Sequence, residues 1–177
     1  MHRRGGFTLI EMVFFVVIVG TALAGLISVL ASSLKGSADT VSRKQALAIA
    51  EAIVEEVALK PFTWCDPDDA NAATATSAAG CANPALVEAS GPEGGETRPS
   101  FDNVSDYHNY AFSSPITDHS GTYSFPAGFA VSSLTVTAEA IDGVAAALRI
   151  SVTVTGPEST SVTLDTYRTR YAPNFVD

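Results

Sequence analysis

An α+β fold, with one long N-terminal α-helix packed on an antiparallel β-sheet, is what three features of the sequence predict. The first is an apolar run from Met12 to Leu34, 23 residues without a charge. As a helix it spans about 35 Å, enough to cross a bilayer. The second is an amphipathic continuation: Ala46, Ala50, Ile53 and Val57 form one stripe, widened by Leu47, Ile49 and Val54, with Arg43, Lys44, Glu51, Glu55 and Glu56 largely off it. The third is a C-terminal third in which apolar and polar residues alternate with a period of two.

The residues ahead of the apolar run set its class. An ordinary secretory signal is cut after its apolar stretch, and Ala22 to Gly25 or Ala31 to Ser33 offer weak versions of such a site. That reading leaves unexplained why Gly5 and Gly6 precede the run and why Glu11 lies in its first turns. A permanent, uncut anchor is a further alternative. Arg3 and Arg4 on one side against Lys35, Arg43 and Lys44 on the other leave the positive-inside count nearly balanced, so charge does not set the orientation.

MHRRGG followed by FTLIE resembles the leader and first mature residues of type IV prepilins and of type II secretion pseudopilins. The resemblance covers about the first thirty residues. It implies a pilin-like fold and cleavage by a prepilin peptidase between Gly6 and Phe7, with N-methylation of Phe7. It also implies an ion pair between Glu11 and the Phe7 amine of a neighbouring subunit, and a leader that stays cytoplasmic while the C-terminal part crosses to the periplasmic side. The implied partners are other pilin or pseudopilin subunits, the prepilin peptidase, the inner-membrane assembly machinery and the membrane itself. The implied organisation is a leader over residues 1–6, a membrane and filament-core half-helix over 7–34, an amphipathic half over 35–60 and a head over 61–177. Phe14, Val17, Gly20, Leu23 and Ile27 are the expected helix-packing positions.

Within the helix, Gly20, Gly25, Ser28, Ser32 and Ser33 allow close approach of neighbours. Many pilins carry a proline here; this chain has none before Pro61, so Gly36 and Ser37 are the expected place for a break. Lys60-Pro61 should end the helix, since proline disfavours helical geometry in the residue before it.

Residues 61–133 read as loop. Asp66 to Ser100 is rich in Ala, Asn, Thr, Ser, Gly and Pro, with a turn signal in GPEGG at 91–95. FDNVSDYHNYAF, from Phe101 to Phe112, resembles a segment of minor pilins such as the mannose-sensitive haemagglutinin type. Three strands follow. Leu134, Val136, Ala138 and Ala140 alternate with polar residues, and Asp142-Gly143 gives a hairpin signal. Leu148, Ile150, Val152 and Val154 alternate again, and Ser161 to Tyr167 forms a less regular third strand. Their apolar face needs a cover, and the helix stripe is available.

Charge and composition narrow the function. Loss of the leader, which carries Arg3 and Arg4, takes the formal net charge from −9 to −11. Between Pro61 and Ser133 the only basic side chain is Arg98. A surface of that sign repels phosphate backbones and sets nucleic acid aside as a partner. Cys65 and Cys81 would pair in the oxidising compartment implied by export, closing a loop worth roughly 3 kcal/mol; without export they are two thiols. No cofactor is expected. Asp66, Asp68 and Asp69 are the metal candidates, but the run departs from the EF-hand arrangement and reads first as a solvated acidic loop. His108 and His119 lie in polar sequence without a nucleophile motif, so no catalytic residues are assigned. Trp64, Tyr107, Tyr110 and Phe112 form either an adhesive surface or, as is commoner for aromatics, part of the core. The reading is a minor pilin-like subunit. Its alternatives are a type II secretion pseudopilin and a membrane-anchored adhesive or ligand-binding module that never polymerises.

Overall fold

Helix α1 runs from Leu9 to Ala58 in the computed structural model, which describes Gly6, residues 8–93, 95–141 and 144–171, and Asn174. The expected hairpin turn at Asp142-Gly143 lies outside the described residues. The expected break at Gly36 and Ser37 does not occur: helix continues through both, and the Thr40 hydroxyl donates to the Gly36 carbonyl at 3.0 Å. One glycine weakens a helix by about 1 kcal/mol, too little to interrupt it between Leu34, Lys35 and the turns that follow. Pro61 does end it, and the last turn tightens as Lys60 N–H bonds to Val57 O at 3.2 Å.

The chain forms two compact units, Met1–Val41 and Ser42–Asp177. In the second, strands β1 (Ala130–Ile141), β2 (Val144–Thr155) and β3 (Ser161–Thr169) make an antiparallel meander in the order β1-β2-β3. Register follows the alternation: Leu134 pairs with Val152 and Val136 with Ile150, while on the other side Val152 pairs with Leu164 and Val154 with Val162. β3 is as regular as its neighbours, although its sequence alternates less clearly. Its outward face is polar, with Thr153 and Thr163 hydroxyls 2.9 Å apart and Arg149 paired to Asp165 at 3.0 Å.

The inward face and the helix stripe share one core. Ala46, Ile49, Ala50, Ile53, Val54 and Val57 are buried with Leu134, Val136, Leu148, Ile150, Val152 and Val154. Leu47, expected to widen the stripe, is instead 38% exposed, being turned about 100° from Ala46. Ala138 and Ala140, in phase with Val136, are also exposed, so the core stops short of the end of β1. The loop contributes more than its composition suggests: Phe62, Phe101, Val104, Tyr107, Ile116 and Phe129 complete the core. Phe101 meets Tyr107 and Tyr110 edge-on with centroids 4.9 and 5.3 Å apart; of the aromatics weighed as surface or core, Tyr107 is interior, while Trp64, Tyr110 and Phe112 are half-buried and pack against the clusters.

Cys65 and Cys81 are joined by a disulfide, around which Ala72 and Ala75 are buried and Trp64 packs. This is a satellite cluster, small because the loop between the cysteines is mostly alanine, serine and threonine. Truncating Ile53, 1% exposed in the middle of the stripe, to alanine should cost about 3 kcal/mol and lower the melting temperature of the head, measured by thermal unfolding of the detergent-solubilised chain.

Candidate processing and assembly site

The N-terminal site is built on how α1 begins. Thr8 stands just outside the helix, and its hydroxyl accepts the Glu11 N–H at 3.4 Å. Met12 N–H then makes the first full-turn bond to Thr8 O at 3.2 Å. Thr8 is therefore the N-cap and Glu11 the third helical residue, the T-x-x-E arrangement of a capping box. A carboxylate there also faces the positive end of the helix dipole. Thr-Leu-Ile-Glu carries that signal in the sequence itself. Gly6 is exposed ahead of the cap, and a side chain at that position would meet nothing within 4 Å. Phe7, expected to be the methylated residue and the counter-ion of Glu11, lies outside the described residues, as do residues 1–5.

From Leu9 to Leu34 the large apolar side chains other than Val19 are exposed. The expected packing positions Phe14, Val17, Gly20, Leu23 and Ile27 are all exposed, and they do not share one face: Phe14 and Leu23, nine residues apart, stand on opposite sides of the helix. The segment is apolar all round, as a helix in lipid or in a helical bundle must be. Its hydroxyls bond inward to the helix itself, Thr21 to Ile18 O at 3.0 Å and Ser32 to Val29 O at 2.9 Å. Those groups need no water.

The head has its own polar centre. Glu56, expected on the solvated side of the stripe, is largely buried and receives Arg98 in a two-toothed pair, Nε to Oε1 at 2.8 Å and Nη2 to Oε2 at 2.6 Å. Arg98 also donates to Thr117 O at 2.7 Å and lies over the Phe112 ring. The Tyr107 hydroxyl donates to Glu56 at 2.8 Å, and His119 Nδ1 sits 3.3 Å from the same carboxylate. Burial raises the Glu56 pKa, but the hydrogen bonds from Arg98 and Tyr107 and the Arg98 charge outweigh it and hold the group below its ordinary value. The isolation of Arg98 in an acidic stretch was the one trace of this centre in the sequence.

The other expected residues separate. His108 is engaged by the backbone, accepting Val136 N–H at 3.2 Å. Asp69 is buried, and its oxygens accept the N–H groups of Asn71, Ala82 and Asn83, so it braces the disulfide loop instead of lying in solvent. Asp66 is buried too, with Oδ1 accepting from Asp68 N–H at 2.6 Å, and of the three only the Asp68 side chain is solvated.

An N-terminal helix with its large apolar side chains exposed, long and apolar enough to cross a membrane, fits a single-pass membrane anchor. Residues 1–27 match the family model of the prokaryotic N-terminal methylation motif, which is the type IV prepilin and pseudopilin signal. The motif implies processing by a prepilin peptidase and assembly with other pilin subunits, and it suggests a structural subunit rather than an enzyme. The long helix with a three-stranded antiparallel sheet is the α+β arrangement of pilin-like folds. Comparison with curated proteins and with solved structures finds no match to the chain.

Replacing Glu56 by glutamine leaves Arg98 buried without a counter-charge and should cost about 3 kcal/mol at pH 7. Because the folded Glu56 titrates below its ordinary value near 4.5, this stability is present above that value and is lost as pH falls through the folded pKa. The difference in melting temperature between wild type and Glu56→Gln should therefore narrow as the pH is lowered from about 5 towards 3, as a pH series of thermal melts would show.

Proposed function

We propose that this chain is a minor type IV pilin-like subunit. It is cut between Gly6 and Phe7, N-methylated on Phe7, held in the inner membrane by a single pass, and then drawn into an envelope filament with its head on the periplasmic or outer side. The observation that carries the reading is the junction of the methylation motif at residues 1–27 with a helix whose apolar side chains stay exposed as far as Leu34. Such a helix needs an apolar surround, first the bilayer and then the helices of neighbouring subunits.

Glu11 fits this sequence of environments. An ionised carboxylate in hydrocarbon costs a few kcal/mol unless it has a partner. The Phe7 amine of a neighbour supplies one, and the pair fixes the axial register of the incoming subunit. The inner-membrane assembly machinery acts on the subunit before the head, residues 61–177, is presented outside. Minor status is supported by the long irregular connection between α1 and β1. A type II secretion pseudopilin shares the same N-terminus and differs in the reach of its filament, which immunogold labelling of intact cells distinguishes: surface filaments mark a pilus.

The mature protein recovered from membranes should begin at Phe7 and be heavier by one methyl group, read by intact mass and N-terminal sequencing. A chain starting at Met1, or beyond residue 22, would overturn the reading. Glu11→Ala should leave cleavage intact yet remove the subunit from sheared filaments. A wild-type chain absent from sheared filaments, with Glu11→Ala leaving its membrane localisation and function intact, would point to an anchored module that does not polymerise.

A further inference from the structure

We propose that the free edge of the sheet, where β1 begins, carries a site for a neutral sugar residue. Two irregularities of the backbone meet there. The register of β1 against β2 shifts between Val131 and Ser133, so Ser132 is the extra residue of a bulge, and Ser132 and Ser133 are both exposed. Beside them, the 3₁₀ turn Val104–Tyr107 is followed by Asn109 in the left-handed region at φ 59°. That turn is fastened to β1, as Asn109 N–H bonds to Leu134 O at 3.0 Å and Val136 N–H to His108 Nδ1 at 3.2 Å. The two segments enclose a cavity of about 250 Å³, lined by residues 109–112 and 131–134.

Charge narrows what the cavity can hold. None of its lining residues is charged, in a chain whose formal net charge is −9. Arg98 lies over the Phe112 ring, but it is 5% exposed and committed to Glu56, so it offers nothing to a ligand. A phosphate, carboxylate or ammonium group would leave water here without a counter-charge, which is costly. A purely apolar ligand fits no better. The Ser132 hydroxyl is used, donating to Thr153 O at 3.2 Å, whereas among the described residues nothing partners the Asn109 amide, the Tyr110 hydroxyl or the Ser133 hydroxyl. Covering those groups with hydrocarbon would leave them unsatisfied.

The three groups supply both donors and acceptors. The hydroxyls of a sugar, each able to donate and to accept, complement that set. Tyr110 and Phe112, half-buried with ring centroids 5.0 Å apart, add an apolar contact for the C–H groups of the ring. The volume lies below the roughly 300–1,000 Å³ of drug-sized sites, which suits one ring at the end of a glycan. Little need be ordered on binding: the Tyr110 ring already meets Phe101 edge-on at 5.3 Å, and Tyr110 N–H bonds to Tyr107 O at 3.1 Å. The site lies wholly in the head and stands whether or not the chain polymerises.

The test is saturation-transfer NMR on the full-length protein in a zwitterionic detergent without a sugar headgroup. The probes are the methyl glycosides of glucose, galactose and N-acetylglucosamine, with N-acetylneuraminic acid as the charged comparison. Transfer to at least one neutral glycoside is expected, saturating with a dissociation constant of about 1 mM, while the charged sugar shows none. Asn109→Gly removes the amide and keeps the left-handed backbone accessible, and it should weaken binding at least fivefold. Tyr110→Phe and Ser133→Ala leave the backbone alone, and each should weaken it at least threefold with the melting temperature unchanged. No transfer to any of the three glycosides, Tyr110→Phe and Ser133→Ala chains that bind as wild type does, or equal transfer to N-acetylneuraminic acid would overturn the proposal.

Discussion

The head depends on a carboxylate and a guanidinium that have both left water. Glu56 and Arg98 are 42 residues apart, and their parallel hydrogen bonds fix one point of a long irregular connection to one turn of α1. Desolvating both charges is costly, and the cost is offset only because the remaining donors and acceptors are used. Arg98 reaches a backbone carbonyl and an aromatic face, and Glu56 collects a phenol and an imidazole. Burial and the adjacent Glu56 charge in turn raise Tyr107 well above the usual phenol range, so its proton stays in place to bridge the helix and the core. A lysine has no fork with which to make the same contact, which is why the identity of the base matters as much as its charge.

What was legible in the sequence followed from periodicity and contiguity. α1, the buried stripe from Ala46 to Val57 and the alternation in β1 and β2 could be read because burial on one face repeats at 3.6 or 2 residues. The methylation motif was legible because it is a linear run. The polar architecture of the loop was not. Glu56 sits beside the stripe and looks solvated until Arg98 is brought to it from far along the chain. Asp69 looks like one of three surface acids until the loop folds back and presents Ala82 and Asn83 N–H groups to it. Gly36 shows the converse: a local propensity of about 1 kcal/mol is outweighed by the helical turns on either side.

The two units solve the problem of polar groups in opposite ways. In the N-terminal unit, Thr21 and Ser32 return their hydroxyls to carbonyls of the same helix, so that neither needs a partner from outside it. In the head, satisfaction comes from far along the chain: Arg168 reaches Lys60 O and Arg170 reaches Phe62 O, each across 108 residues. The first arrangement holds in any apolar surround. The second exists only when the whole head is folded, so a cooperative head and a self-sufficient rod are joined in one polypeptide.

The capping of α1 by Thr8 has a consequence for energetics at the membrane. Glu11, at the third helical position, is already stabilised by the free N–H groups of its own first turn. In the proposed filament a neighbour's ammonium offered to Glu11 would compete with that interaction, so the pair would be an exchange of partners whose net yield is smaller than the bare attraction of two charges, and an exchange is more readily reversed than a gain.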